Sequence, residues 1–406
     1  MGAAGGADAW WWQAEPTPEL RWPLNIQVYD QMRRQDAQVI SVLRAVKLPV
    51  RRTKWSIDQG AASDEVARFV ADNLGLPLAG ANQQEQLART RDRFSWKDHL
   101  RHALLMLEFG HMPFEQVYRI ADDGRAWIRK LAPRMPQTLS EINVAVDGGL
   151  ESIRQYAAAG SRVEPPKIPV DRLVMYVHER EGGNWRGQSL LRSAYKDWLL
   201  KDRLLRVDTA TIERNGMGVP VYEGSEEQAG ADKESGLALA TSIRAGQSAG
   251  GYIPAGAKLT LKGVEGELPK ALDSIRYHDE QIAKSVLAHF MNLGQATGTG
   301  SYALGESFLD FFVASLQAVA EDIADIATQH IVEDLVDINF GPTAPAPRIT
   351  FQEIGSRSQV TAQAIALLVN SGVLLREPAL ERYIRETYGI PDKEPLPGQT
   401  TPPGGN

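Results

Sequence analysis

Apolar positions along this chain switch between two spacings, and the switches mark out its elements. Val39, Ile40, Val42, Leu43 and Val46 recur at steps of three and four, which predicts a helix over Tyr29–Val46. The next stretch, Leu48–Ile57 (LPVRRTKWSI), alternates apolar with basic residues and reads as a strand. Ser63–Leu74 returns to helical spacing, with Asp64 and Glu65 in the first turn, where carboxylates favour the helix N-terminus. Ser95 opens another helix that runs to Gly110, and Ser95 with Asp98 makes an S-x-x-D arrangement close to a capping box. Phe114–Ile120 and Trp127–Leu131 form a hairpin around Asp122-Asp123-Gly124-Arg125.

Breakers dominate from Pro133 to Pro169, with Pro136, Pro165 and Pro166 between. Short β segments at Ile142–Val146 and Ile153–Tyr156 predict a small α+β subdomain inserted between helical parts. A strand over Leu173–His178 then meets a Gly-rich turn (Gly182, Gly183, Gly187). Ser189 is placed to N-cap a long helix that ends near Asn215-Gly216, a left-handed C-cap signal. Tyr222–Ala257 is polar and Gly-rich, with one helix over Lys233–Arg244, followed by a strand over Lys258–Val264 and a helix over Leu268–Met291. The segment Asn292–Ser307 (NLGQATGTGSYALGES) is punctuated by Gly294, Gly298, Gly300 and Gly305. From Ser307 to about Ile338 runs a helix roughly 45 Å long. Its Leu309, Phe312, Leu316, Val319, Ile323, Ile326, Ile331 and Leu335 mark one buried face. Gly341–Pro347 ends it, and Ser358–Asn370 and Glu377–Tyr388 form a terminal helical pair. Residues 1–25 carry Trp10, Trp11, Trp12 and Trp22 without a period: an irregular arm packed on a neighbour or on its own subunit. The tail from Pro391 is Pro/Gly-rich and reads as disordered.

Composition narrows the chemistry. The 406 residues suffice for two or three domains, and 43% hydrophobic content supports a real core. With no cysteine, disulfides, thiol catalysis and cysteine zinc sites are excluded, which fits a reducing compartment. The net charge of −7 argues against a chain that grips DNA over its whole surface. No apolar run spans a bilayer, and the N-terminus lacks the basic region and apolar core of a signal peptide. Gly6 sits where a myristoylation motif needs Ser or Thr. The plain expectation is a cytosolic globular protein.

Each motif has a plain reading beside the sharper one. Gly294–Ser301 (GQATGTGS) looks like a phosphate cradle but lacks the Lys-Ser/Thr of a P-loop, and its flanks are helical. Gly187-Gln188-Ser189 would need a Gly at position 191 for a nucleophile elbow, and Leu191 stands there. His99 and His102 lie three apart on a helix with no acidic ligand set to complete a metal site. The acidic groups Glu321, Asp322 and Asp325, then Glu333, Asp334 and Asp337, read by default as a solvated face. On the helix from Ser189, Asp197–Lys201 and Asp202–Arg206 fit as i,i+4 pairs within the helix, and pairing between subunits is equally open.

The order strand, Gly-x-Ser turn, long helix, Asn-Gly-x-x-x-Pro from Ile168 to Pro220 resembles the centre of the portal proteins of tailed bacteriophages. The phrases RAVKLPVRRTKWSI, FGHMPFEQVY and IPVDRLVMYVHE through RGQSLLRSAY are similar to the Mu-like branch, and the resemblance spans roughly Tyr29–Tyr388. It implies an α+β portal fold with wing, stem, clip and long helices, assembled as a ring of about twelve copies. On that reading residues 26–133 and 217–291 form the wing, 134–180 the clip and 181–216 the stem helix. Residues 292–306 form the tunnel loop, 307–340 a long wing helix and 341–390 a short helical crown, with 391–406 a disordered tail. Asn292, Gly294, Gln295, Thr297, Gly298, Thr299, Gly300, Ser301 and Tyr302 would face the DNA channel. Ser189, Arg192, Lys196, Lys201, Arg203 and Arg206 would mark the stem. The acidic groups near the channel would repel phosphates and let the duplex slide.

The resemblance further implies a virion protein at one capsid vertex, assembled in the host cytoplasm, with no catalytic residue, metal or cofactor. Its partners would be other copies of itself, double-stranded DNA bound without sequence preference, the terminase large subunit, the head-tail adaptor, and the capsid and scaffolding proteins. The C-terminal part departs from the family in being short. Two other readings stand beside it: another head or adaptor structural protein, and a nucleotide-binding enzyme using Gly294–Ser301.

Overall fold

Asp36 divides the first predicted helix in two. Its backbone is extended, and its carboxylate accepts the N–H groups of Gln38 (2.8 Å) and Val39 (3.1 Å). This N-cap ends α1 (Leu24–Gln35) and starts α2 (Ala37–Arg52). The computed structural model describes residues 15–80, 94–161, 163–217, 219–223, 232–242, 258–262, 271–285 and 301–354. Nearly all of them belong to one compact unit, residues 1–352. A second unit, 353–406, falls almost wholly outside the described residues, and so do the predicted helices at 358–370 and 377–388.

Helix α2 runs through the predicted strand over Leu48–Ile57, which shrinks to β1 (Trp55–Asp58). The reason lies in the spacing: Val39, Val42, Leu43, Val46 and Val50 form one buried stripe, so helical burial continues through Pro49. Pro49 sits in the last turn, where its missing N–H removes a single bond. Helix α3 (Asp64–Leu74) starts at Ser63, whose hydroxyl accepts the Val66 N–H, and stops at Gly75 in the left-handed conformation. The helix predicted over Ser95–Gly110 is two pieces, α4 (Trp96–Ala103) and α5 (Met106–Phe109). Ser95 makes no side-chain cap, and Asp98 pairs with Arg101 at 2.7 Å instead.

Strands β2 (His111–Ile120) and β3 (Ala126–Pro133) make the expected hairpin. The segment 134–180 is divided between two sheets. Strands β4 (Leu139–Val144), β5 (Leu150–Gln155) and β6 (Ile168–Pro169) pair with one another, whereas β7 (Leu173–Val177) pairs antiparallel with β2. Alternation along β7 serves both: Leu173 and Met175 pack with Leu139, Leu150 and Ile153 under the small sheet. After β7, Gly187 and Gly110 bring two backbones together. A Cβ on Gly187 would stand 2.3 Å from the Gly110 carbonyl oxygen, and both residues have positive φ.

Helix α6 (Leu191–Met217) passes through Asn215-Gly216 rather than capping there. It ends before Pro220, which disfavours helical backbone at Val219. Strand β8 (Val219–Glu223) pairs with β9 (Lys258–Lys262), helix α7 (Asp232–Ser242) contacts β8, and α8 (Ala271–Lys284) packs on α6. Helix α9 (Ser301–Ala327) begins six residues before the predicted Ser307, so Ser301 and Tyr302 are helical rather than in a loop. A π turn (Thr328–Val332) joins it to α10 (Glu333–Phe340). Strand β10 (Arg348–Phe351) then pairs with β1.

His99 of α4 is sealed inside this packing. Phe94, Trp96, Phe114 and Tyr176 surround its ring, and its Nε2 lies 2.8 Å from the Tyr176 hydroxyl. Burial lowers its pKa from 6.5 to about 3, with His102 adding to the drop. Burial likewise lowers His111 to about 4. Both are therefore neutral in the fold, while the unfolded chain takes up protons near 6.5. Their contribution to stability is complete above that pH and is lost as pH falls toward 4. His99→Gln keeps a polar partner for Tyr176 without titrating. Its melting temperature should fall less than wild type between pH 6.5 and 4, and parallel curves would show that His99 is not a source of the slope.

Candidate functional site

The predicted loop and the predicted long helix fare differently. Asn292, Gly294, Gln295, Thr297, Gly298, Thr299 and Gly300 lie outside the described residues, and Ser301 and Tyr302 open α9. Ser189, Arg192, Lys196, Lys201, Arg203 and Arg206 all lie at or on α6. Ser189 stands at the start as expected: its hydroxyl accepts the Leu191 N–H (3.0 Å) and donates to the Glu108 carbonyl (2.5 Å). Arg192 makes a two-point bond with Glu15 (2.6 and 2.8 Å), which ties the N-terminal segment to the start of α6. Trp22 also packs on its own chain, with Arg186 stacked 4.7 Å from its ring centre. Trp10, Trp11 and Trp12 lie outside the described residues.

Lys201 does not pair with Asp197 as the i,i+4 spacing suggested. Its ammonium bonds both carboxylate oxygens of Asp36 (3.0 and 2.9 Å) and forms an ion pair with Asp279 of α8 at 2.6 Å. Asp197 is instead 2.8 Å from His278 Nδ1, also on α8. The cause is the burial stripe of α6. Leu191, Ala194, Trp198 and Lys201 recur at helical steps and face α1, α2 and α8, so Lys201 is turned inward and is only 8% exposed. Burial alone would lower its pKa, but the contacts with Asp279 and Asp36 outweigh it and the pKa rises. A lysine embedded in an apolar stripe was the signal available in the sequence. By contrast Asp202–Arg206 forms within the helix at 2.8 Å on the exposed side.

Past Lys201, α6 exposes apolar side chains. Leu205 is 44% exposed, Val207 61% and Ile212 64%, and Arg203 and Arg206 are exposed with them. The acidic residues of α9 and α10 are not one solvated face either. Glu321, Asp322, Asp325, Glu333 and Asp337 are exposed, but Asp334 is half-buried and accepts a hydrogen bond from Gln116 at 2.8 Å. Burial raises the Asp334 pKa, against the pull of that bond. Among the described residues no group of three acidic or histidine side chains could hold a metal ion. No described helix is long and apolar enough to cross a membrane.

Among the described residues, then, the arrangement is a frame of packed helices and ion pairs around one long helix. The family model described as "Portal protein of Mu bacteriophage" matches residues 26–390. The chain belongs to this portal family. Solved structures agree on the fold. A chain in the neck of an empty gene transfer agent particle, computed with C6 symmetry, is 13% identical, with 89% of this portal-family chain and 93% of that one covered and a TM-score of 0.57. A chain in the native particle's neck, computed with C12 symmetry, gives 11%, 90%, 93% and 0.56. One from the native virion of a gene transfer agent gives 11%, 90%, 93% and 0.54. The α+β portal fold expected from the sequence is therefore the fold of this chain.

Lys201→Met tests the frame of the portal subunit. It leaves two carboxylates without their cation and should destabilise the folded protein by about 3 kcal/mol in urea denaturation. Adding Asp36→Asn and Asp279→Asn, which removes the stranded charges, should recover most of that loss. A single substitution as stable as wild type would show that the three groups do not hold the helices together.

Proposed function

We propose that this chain is the subunit of a ring at one capsid vertex, through which double-stranded DNA enters during packaging and leaves during ejection. The observation that carries the proposal is the portal-family match over residues 26–390. The surface of α6 supports it. Leu205 and Ile212 continue the stripe of Lys201, and Val207 lies on the opposite side of the helix. Single exposed apolar residues are ordinary, but three on one helical span, on two sides, suit a head-to-tail contact of the kind that closes a ring.

On this reading α6 is the stem and the sheet β4-β5-β6 is the core of the clip. The helices and sheets on either side in sequence form the wing. The tunnel loop shrinks to residues 292–300, because Ser301 onward is helical. Its Gly and Thr residues would line the channel with hydroxyls and no fixed positive charge, so that DNA is contacted without being trapped. Because β10 pairs with β1, the crown expected over 341–390 would begin only after β10. The ring would nucleate the shell with scaffolding protein, dock the terminase large subunit through the clip and later hold the head-tail adaptor. ATP hydrolysis would belong to the terminase.

Two experiments test this. Sedimentation of the full chain should give a large oligomer, and Leu205→Asp with Ile212→Asp should dissociate it without lowering the melting temperature. A double variant that assembles like wild type would remove α6 from the interface. Deleting Gly294–Ser301 should leave rings that assemble but fail to package or retain DNA. Normal packaging by that deletion would count against the tunnel-loop role.

A further inference from the structure

The π turn is bonded from two separate sheets, by the Gln116 side chain of β2 and by the Ile349 N–H of β10. The Glu333 N–H bonds the Thr328 carbonyl five residues back, instead of four. The extra residue resets the rod's face by about 100°. Buried positions Leu316, Val319, Ala320, Ile323 and Ala327 therefore hand over to Ile331, Val332, Leu335 and Val336 without leaving the core. Such a turn weakens the ladder of backbone bonds, and helices bend where the ladder is interrupted.

Here the turn is also bonded from outside the helix. Gln116 of β2 is 4% exposed, and its Nε2 donates to the His330 carbonyl (2.8 Å) and to the Asp334 carboxylate (2.8 Å). Its Oε1 accepts the Tyr118 hydroxyl at 2.6 Å. From the other side the Thr328 hydroxyl accepts the Ile349 N–H of β10 at 3.1 Å. Packing of Ile331 and Val332 alone is the simpler account of the turn. It does not explain a buried amide with its bonds spent on His330 of the turn, on Asp334 just after it and on Tyr118, since an apolar residue would fill the same space without the cost of burying polar atoms.

We propose that the π turn is a joint whose angle is set from outside by Gln116 of β2 and by the Ile349 N–H of β10 on Thr328, so that releasing Gln116 lets α9 bend relative to α10. Gln116 is then a positioning residue for α9.

The chain has no cysteine, so introduced cysteines label cleanly. Spin labels at Ala314→Cys on α9 and Asp122→Cys on the β2–β3 turn would report the angle by pulsed electron paramagnetic resonance. Labelled chain would be diluted into unlabelled chain so that only distances within a subunit count. The parent should give one narrow distance distribution. Gln116→Leu should broaden or shift it, and amides of residues 328–333 should exchange about tenfold faster while those of β2 and β3 do not change. An unchanged distribution with unchanged exchange overturns the proposal. Tyr118→Phe and Thr328→Val each remove one bond with little change in shape, and they carry the same test if Gln116→Leu does not fold. They should give smaller changes of the same kind, and no change in either would equally overturn it.

Discussion

The charge on Lys201 of α6 is buried where α1, α2 and α8 meet, and the placement of α6 depends on it. An ammonium is costly to desolvate unless opposite charges surround it. Asp36 and Asp279 provide them, and Asp36 supplies the same carboxylate as the N-cap of α2. One group therefore ends α1, starts α2 and receives α6. Moving α6 along or around its axis would strand the cation or both anions, which a purely apolar contact would not forbid. The register of the long helix is fixed by this charge requirement, while the apolar cluster of Ile26, Met32, Leu43, Leu191 and Ile282 supplies the bulk of the burial.

A second constraint fixes where α6 begins. Gly187 and Gly110 allow two backbones to approach within a distance no side chain would permit, and Ser189 then hydrogen-bonds the Glu108 carbonyl. The start of α6 is thereby attached to the end of α5 and the start of β2, and Arg192 ties Glu15 to the same point. A helix held so firmly at its start and at Lys201 presents Leu205, Val207 and Ile212 to whatever packs beside it.

Much of this was legible in the residues. The helix Asp64–Leu74, the β2–β3 hairpin and the long helix after Ser189 follow from spacing and local caps, as did the resemblance to the portal family. What was missed depended on partners distant in sequence. Asp36 looks like an ordinary helical residue until its carboxylate is seen to cap α2. Leu48–Arg52 alternates like a strand, but Val46 and Val50 are held helical by the core. Lys201 had a good local partner in Asp197 and took two distant ones, because the side of α6 it occupies is buried. The π turn and the early start of α9 carry no local signal that spacing could distinguish from an ordinary helix. The Gly-rich residues 292–300 lie outside the described structure, so their part in the account rests on the family resemblance.

The most direct measurement is negative-stain electron microscopy of the purified full chain, with a mass measurement alongside. The account predicts rings with a central channel wide enough for duplex DNA and a mass of about twelve subunits. A stable monomer or dimer at high concentration would contradict it.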